Sequence, residues 1–181
     1  MIGTKIISQK IVFSSSRFDI VKSHLALPNK KQQLHQDIIK RNTVVIFPLT
    51  NDFHLYLIQQ YRYLLKKINI EAVSGFIEKN ETSIQAAKRE LKEEAGLLAG
   101  QWEEIARIEL GASVIRSVAH LFLVRELEKV IATSDASEKI TVMKISLKDA
   151  VEKVLAGEIN TSTTITGILL LDKLQKRKKH A

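Results

Sequence analysis

The segment SGFIEKNETSIQAAKRELKEEAGLL, residues 74–98, constrains the fold of this chain more than any other. Its apolar residues recur at the spacing of one helix face: Ile84, Ala87, Leu91 and Ala95. This period predicts an amphipathic helix over about 83–95. Thr82 or Ser83 can cap its first turn, and Gly96 suits the left-handed position that ends a helix.

Three carboxylates crowd the second half of this predicted helix. Glu90 and Glu94 are four residues apart and Glu93 is three residues from Glu90, so all three share a face distinct from the apolar stripe. Like charges at these spacings repel by roughly 0.2–0.5 kcal/mol per pair. Oxygen ligands of this kind suit hard cations such as Mg²⁺ or Mn²⁺. The alternative is a set of solvated glutamates on an exposed face.

The patterns around this helix predict the fold class. Apolar runs and alternations predict strands at about 5–13, 18–27, 42–49, 52–62, 68–78, 103–110, 119–127 and 138–147. Ser146 and Asp149 resemble the cap of a second helix that stops at Gly157, and a third helix covers about 161–176. Strands mixed with three helices imply an α/β (α+β) sandwich, with helices on both sides of a mixed sheet.

The length and composition of the chain indicate what kind of protein it is and in which cellular compartment we expect it. A chain of 181 residues suits one domain with a sizeable core. It has no cysteine, which excludes disulfides and thiolate metal sites. It shows neither the apolar run of a signal peptide nor a segment long enough for a membrane span, so we expect a cytoplasmic protein with no membrane partner.

The formal net charge of +8 favours anionic ligands such as nucleotides and nucleic acids. Part of this charge lies in the tail KLQKRKKHA. Cations are favourable near a helix C-terminus, so we expect a solvated helix end there. Nucleic-acid contact through this tail is the alternative.

The acidic helix and the loop before it match a family signature. The pattern is Gly, five residues, Glu, seven residues, then Arg-Glu-apolar-x-Glu-Glu-x-Gly-apolar, and it falls on Gly75, Glu81, Arg89, Glu90, Leu91, Glu93, Glu94, Gly96 and Leu97. In this the chain resembles the Nudix hydrolases. The resemblance implies the Nudix α/β/α sandwich and metal-dependent cleavage of a diphosphate linked to another group.

The resemblance also implies roles for the matching residues. Glu90 and Glu94 correspond to metal ligands, and Glu93 to a further ligand or an orienting acid. A backbone carbonyl at Ser74 or Gly75 resembles another metal ligand. The metal would be Mg²⁺, with Mn²⁺ as the alternative. Within the signature, the structural positions are Glu81, Arg89 and Gly96.

Outside the signature, residues from about 11 to 171 resemble the branch that cleaves ADP-ribose and nucleoside-diphosphate sugars. The stretch IQQYRY is similar to its Gln-Tyr-Arg strand and maps the substrate-facing arginine to Arg62. IEAVSG is similar to its Glu-x-Pro-Ala-Gly segment and maps the substrate-side glutamate to Glu71. The distal catalytic glutamate of the branch falls on Glu138, with Asp135 as a nearby competitor. The catalytic set implied is therefore Glu93, Glu94 and Glu138.

The chain departs from that branch at two places. Val73-Ser74 replaces the Pro-Ala pair, and the loop after the signature carries Ala112 in place of a proline and Ser117 in place of an acid. These differences bear on which nucleotide is cleaved more than on whether a diphosphate is cleaved. ADP-ribose and other nucleotide sugars both remain open as substrates, with NMP and a sugar phosphate as products.

The resemblance further implies a homodimer. Residues 1–40 fit a β arm that the branch exchanges between subunits, and residues 41–181 fit the Nudix domain. Two other functions stay open: removal of RNA 5′ caps or pyrophosphate, and a non-catalytic Nudix module that senses a ligand. For His120, Trp102 and Phe18, packing is favoured over catalysis or base stacking.

Overall fold

The computed structural model describes residues 3–29, 31–132 and 139–179. Within them the chain forms two compact units. The first comprises the described residues through Asn42 together with Glu109–Val118. The second comprises Thr43–Ile108 and the described residues from Ala119 onward. The boundary predicted near residue 40 for a separate arm stays a prediction.

The first unit is a four-stranded sheet in the order β1-β2-β3-β9. Its strands are β1 (Lys5–Ser14), β2 (Phe18–Ala26), β3 (Gln32–Lys40) and β9 (Ile115–Arg116). The first three are antiparallel neighbours, and β9 runs parallel to β3. The sequence patterns predict β1 and β2 but miss β3, because QQLHQDIIK is polar and does not alternate regularly.

The second unit contains two further sheets. One has the order β7-β4-β10-β8 and the other the order β11-β5-β6. Their strands are β4 (Thr43–Pro48), β5 (His54–Arg62), β6 (Lys67–Glu71), β7 (Val73–Phe76), β8 (Leu97–Glu109), β10 (Val118–Lys129) and β11 (Ile140–Ser146). Strands β4 and β10 are parallel while β4 and β7 are antiparallel, so the first of these sheets is mixed.

Helices cover both faces of strand β4. Val44 and Ile46 are buried in the core that includes the apolar face of helix α1 (Ser83–Ala95). Phe47 points the other way, and a Cβ added to Gly167 of helix α3 (Ser162–Lys179) would lie 1.9 Å from its ring. The third helix, α2 (Leu147–Leu155), contacts α3. The predicted mixed α/β fold class is confirmed.

The predicted termini of α1 and the predicted start of α2 agree with the structure, whereas α3 extends to Lys179 rather than about 176. Helix α1 occupies the predicted residues, and Thr82 caps it through a capping box with Gln85. Gly96 has φ 60°, and its N–H donates to the last carbonyls of the helix. The side chain of Ser146 accepts from Asp149 N–H at the start of α2.

Several predicted strand boundaries differ from the structure. The strand predicted at 68–78 is two strands, because the chain leaves β6 after Glu71 and pairs with β4 from Val73 onward. Strand β8 begins at Leu97, directly after the glycine that ends α1, rather than at 103. Strand β11 begins at Ile140 rather than 138. Among the described residues, no helix has the length and apolar character needed to cross a membrane.

Candidate functional site

Strand β7 and helix α1 are brought together by a glycine. Gly75 pairs with Val44 in the sheet and faces α1. A Cβ built on Gly75 would lie 1.8 Å from Glu90 Oε1. The carboxylate of Glu90 therefore occupies the space that any other side chain at position 75 would fill, so this close approach requires glycine.

Arg89 holds the loop, the strand and the helix in place through all five of its N–H donors. Nε and Nη2 donate to the two oxygens of Glu81, at 3.0 and 3.1 Å. Nη2 also donates to the carbonyl of Phe76 at 3.0 Å. Nη1 donates to Glu90 Oε1 at 2.7 Å and to Glu93 Oε2 at 3.1 Å. Arg89 thus connects Glu81, Phe76 and two carboxylates of the helix; the structural role that the resemblance implies for Arg89 and Glu81 stays a prediction.

The pKa values of Glu81 and Glu90 are shifted in opposite directions. The hydrogen bond from Arg89 lowers the pKa of Glu81 below its ordinary value. Burial raises the pKa of Glu90, and the bond from Arg89 only partly opposes that rise. The same carboxylates raise the pKa of the Arg89 guanidinium, with Glu81 as the largest cause. Glu90 is thus a buried carboxylate whose charged form a nearby cation would stabilise.

Glu94 connects the second half of α1 to the edge of strand β7. Its Oε2 accepts a hydrogen bond from the backbone N–H of Ser74 at 3.0 Å. Strand β7 is at the end of its sheet, next to β4 only, so its outer edge is open to such a contact. Glu90 and Glu94 consequently flank the Ser74–Gly75 backbone.

The donors around Gly75 fit a hard divalent cation. Two carboxylates and the backbone of Ser74 and Gly75 supply only oxygen ligands, and the burial of Glu90 favours a cation beside it. Within the described residues, no group of three or more His, Cys, Asp or Glu side chains is arranged to hold a metal ion. Glu93 turns instead to Arg89, and its side chain is 38% exposed.

The two predicted substrate residues lie together. Arg62 donates to both oxygens of Glu71, from Nε at 3.1 Å and from Nη2 at 2.6 Å. Asn69 Nδ2 donates to Glu71 Oε1 at 3.1 Å. The acid that pairs with Arg62 is therefore largely buried, since the Glu71 side chain is 10% exposed.

The other described residues considered for catalysis or base stacking are not part of these two clusters. Glu138 and its competitor Asp135 are outside the described residues. His120 Nδ1 lies 2.7 Å from Glu104 Oε1, and the His120 side chain is largely buried. Trp102 packs edge-on against the ring of Phe122.

Two positions in the first unit also have structural contacts. Phe18 contacts the ring of Phe13, with ring centroids 5.7 Å apart. Ser117 is buried, and its hydroxyl donates to the carbonyl of Arg41. Ser117 therefore supports the backbone of its own unit.

Sequence reasoning missed two buried amides beside the Arg62–Glu71 pair, Gln60 and Asn69. Glutamine and asparagine on strands are ordinary residues, and no spacing rule links positions nine residues apart. Only the pairing of β5 with β6 places them opposite each other. Alternation along both strands was the available signal, since each amide lies two residues from a member of the ion pair.

Comparisons with known proteins identify the family of the chain. The family model described as NUDIX domain matches residues 39–161. An ADP-ribose pyrophosphatase from Bacillus subtilis (strain 168) is 27% identical and covers 96% of this chain and 97% of its own length. A methanol dehydrogenase activator from Bacillus methanolicus is 26% identical, with 97% and 96% covered. A crystal structure of an ADP compounds hydrolase superposes with a TM-score of 0.86 at 19% identity, over 100% of this chain and 98% of that one.

The Glu81–Arg89 bond predicts a pH-dependent stability difference. Because the pKa of folded Glu81 is lowered, its stabilisation is complete above the unfolded pKa, near 4.5, and is lost as pH falls through the folded pKa. We expect Glu81→Gln to reduce the free energy of unfolding by about 1–2 kcal/mol at pH 7 and by much less at pH 3.5. Urea denaturation at the two pH values measures this.

Glu78→Gln is the matched control for this experiment. Glu78 lies three residues away with an exposed side chain, so its neutralisation should change stability little at either pH. An equal loss for Glu81→Gln at both pH values, or an equal loss for the control, would contradict the assigned role of the ion pair.

Proposed function

Because the chain belongs to the NUDIX domain family, we propose that it hydrolyses a nucleoside-diphosphate-linked compound to a nucleoside monophosphate and a sugar phosphate. ADP-ribose is the first candidate substrate, and related nucleotide sugars are the next. One observation carries this proposal: Glu90 and Glu94 both lie against the Ser74–Gly75 backbone. Arg89 donates to Glu90, and the Ser74 N–H donates to Glu94. The names of the similar proteins support a substrate that contains ADP.

Glu90 and Glu94 would hold a divalent metal, together with a backbone carbonyl at Ser74 or Gly75 and with Glu93 as a further ligand. Mg²⁺ is the proposed ion, and Mn²⁺ would substitute for it because both prefer oxygen ligands. When bound, such an ion neutralises phosphate oxygens and lowers the pKa of a coordinated water. Arg89 and Glu81 would act as the scaffold, since none of the N–H donors of Arg89 is left for substrate.

The remaining steps belong to side chains of this chain. A carboxylate must accept the proton of the attacking water, and Glu93, Glu94 and Glu138 are the proposed candidates. Arg62 would bind a phosphate oxygen, because a guanidinium matches the geometry of phosphate. Glu71 would keep Arg62 in position until substrate arrives.

The alternative functions have less support. A non-catalytic module has no need of the signature carboxylates, and this chain keeps all of them. An RNA-directed enzyme would use the basic tail, and the side chains of its last residues lie outside the described part of the chain. A cytoplasmic location stays a prediction.

Hydrolysis of a substrate panel tests the proposed function. The panel is ADP-ribose, GDP-mannose, UDP-glucose, NADH, diadenosine polyphosphates and 5′-triphosphate RNA, each with Mg²⁺ and with Mn²⁺. We expect release of AMP and ribose 5-phosphate from ADP-ribose, and a loss of at least about 100-fold in kcat for Glu94→Gln. Glu103→Gln, the same substitution at an exposed position of strand β8, is the control and should keep full activity.

Each outcome of the panel is informative. If another nucleotide sugar is hydrolysed and ADP-ribose is not, the proposed diphosphate hydrolysis stands and ADP-ribose is rejected as the substrate. Turnover of the RNA alone would favour the RNA-directed alternative. No turnover of any substrate would reject an enzymatic function of this site.

We also propose that the protein is a homodimer. All ten residues of β1 are exposed, although the strand carries large apolar side chains, namely Ile6, Ile7, Ile11, Val12 and Phe13. An exposed edge strand with this composition favours pairing with another chain, because burial of its apolar surface is favourable. A second copy is the proposed occupant, in line with the exchanged arm that the sequence resemblance implies.

Size-exclusion chromatography with light scattering tests the dimer. We expect twice the mass of one 20.5 kDa chain. Ile11→Glu should shift the mass towards that of a monomer, because a charge would be buried in the interface. Ser8→Glu, which adds the same charge at another exposed β1 position, is the control. A monomeric wild-type protein would reject this proposal.

A further inference from the structure

Two amide side chains in the second unit are buried without full hydrogen bonding. Gln60 is 7% exposed and Asn69 is 2% exposed. Among the residues that the structure describes, Gln60 Oε1 and Asn69 Oδ1 have no hydrogen-bond partner. A buried acceptor without a donor destabilises a fold, so such groups are rare in native proteins and call for an explanation.

The two amides face each other across a pair of strands. Gln60 in β5 and Asn69 in β6 are direct register partners, so their Cβ atoms are about 5 Å apart. Asn69 Nδ2 donates to Glu71, which places both amides on the face that carries the Arg62–Glu71 pair. The two orphan oxygens therefore belong to one polar surface.

The Arg62–Glu71 ion pair spans the row of strand positions that holds these two amides. Arg62 is the register partner of Lys67, whereas Glu71 is the partner of Ile58. The row of Gln60 and Asn69 lies between those two rows. The Arg62 side chain must cross it to reach Glu71 Oε2 at 2.6 Å. A movement of Arg62 towards another anion would uncover the amide oxygens.

The chemistry of the oxygens limits what can bind them. An amide oxygen only accepts hydrogen bonds, so it needs a partner with N–H or O–H groups. A rotation of the Asn69 amide would direct its oxygen at the Glu71 carboxylate, which is unfavourable, so the Oδ1 position is well determined. Diphosphate oxygens are acceptors and cannot satisfy these groups. The donors available in a nucleotide sugar are sugar hydroxyls and the amino group of a base.

We propose that Gln60 and Asn69 are specificity-determining residues that accept hydrogen bonds from two hydroxyl groups or from one amino group of the substrate. The inference rests on the proposed function. The diphosphate competes with Glu71 for Arg62, and the displaced guanidinium opens the two oxygens to the donor-bearing part of the same substrate. Specificity follows because a ligand without that donor would leave two buried acceptors unpaired.

A purely structural role for Gln60 and Asn69 predicts a different effect of substitution. A buried water could donate to both oxygens and would then contribute to stability alone. In that case, removal of one acceptor would lower the melting temperature and leave substrate binding unchanged. In the proposed role, the unpaired acceptor costs stability in the free enzyme and is retained for binding.

Gln60→Met in the full chain separates the two roles. Methionine has a similar shape and no polar acceptor oxygen, and Gln60 Oε1 has no described hydrogen-bond partner that the substitution would remove. We expect an equal or higher melting temperature, an increase of about 3- to 10-fold in KM for ADP-ribose, and a kcat within about twofold of wild type. Gln59→Met is the matched control, since the Gln59 side chain lies on the opposite face of β5.

Inhibition by AMP, ribose 5-phosphate and inorganic phosphate identifies the group that is bound. The Gln60 substitution should raise the inhibition constant of one of the two donor-bearing products and leave that of phosphate unchanged. AMP would assign the contact to the nucleoside end, and ribose 5-phosphate to the sugar end.

Three results would overturn the inference. The first is an unchanged KM in an active Gln60→Met enzyme. The second is a lower melting temperature with unchanged inhibition constants, which indicates a structural water only. The third is an equal effect of Gln59→Met. Failure of the wild-type enzyme to hydrolyse any nucleotide sugar is a separate result that rejects the proposed function itself.

Discussion

The rest of the site depends on the guanidinium of Arg89. Its five donors join the loop carboxylate of Glu81, the end of strand β7 at Phe76, and the helix carboxylates Glu90 and Glu93. One planar group thus fixes the angle at which the helix approaches the strand, and Gly75 lets the two come close enough for Glu90 to fill the gap. A lysine could not do this, because it lacks the fixed fork of donors.

Opposing electrostatic effects make this site suited to a cation. Burial is the largest effect on Glu90 and raises its pKa; Arg89 opposes this rise only in part, and Glu93 and Glu81 add smaller like-charge repulsion. The burial of Glu90 therefore costs stability, whereas Glu94 accepts an ordinary hydrogen bond from the Ser74 N–H. A divalent ion would remove that cost. In the proposed function, stability of the free protein would thus be given up for binding, and the same would hold for Gln60 and Asn69 in their proposed role.

Features that depend on residues close in the sequence could be predicted. Features that depend on the pairing of distant strands could not. Helix α1, its cap and its terminal glycine depend on neighbouring residues, and they agree with prediction. The structural role of Arg89 is implied by the family resemblance and stays a prediction. Strand β3 was missed because its pairing with β2 outweighs a weak local pattern. The pair of Gln60 and Asn69 depends on the register between β5 and β6, which no local pattern encodes.

Binding of Mn²⁺, measured by electron paramagnetic resonance, tests the central claim that the α1 carboxylates at Gly75 form a metal site. The free Mn²⁺ signal should fall on addition of wild-type protein. Glu90→Gln, which keeps the shape and the bond from Arg89, should weaken binding by about tenfold or more. Glu103→Gln should bind as wild type does. Equal binding by wild type and Glu90→Gln, or no binding by wild type, would contradict the account.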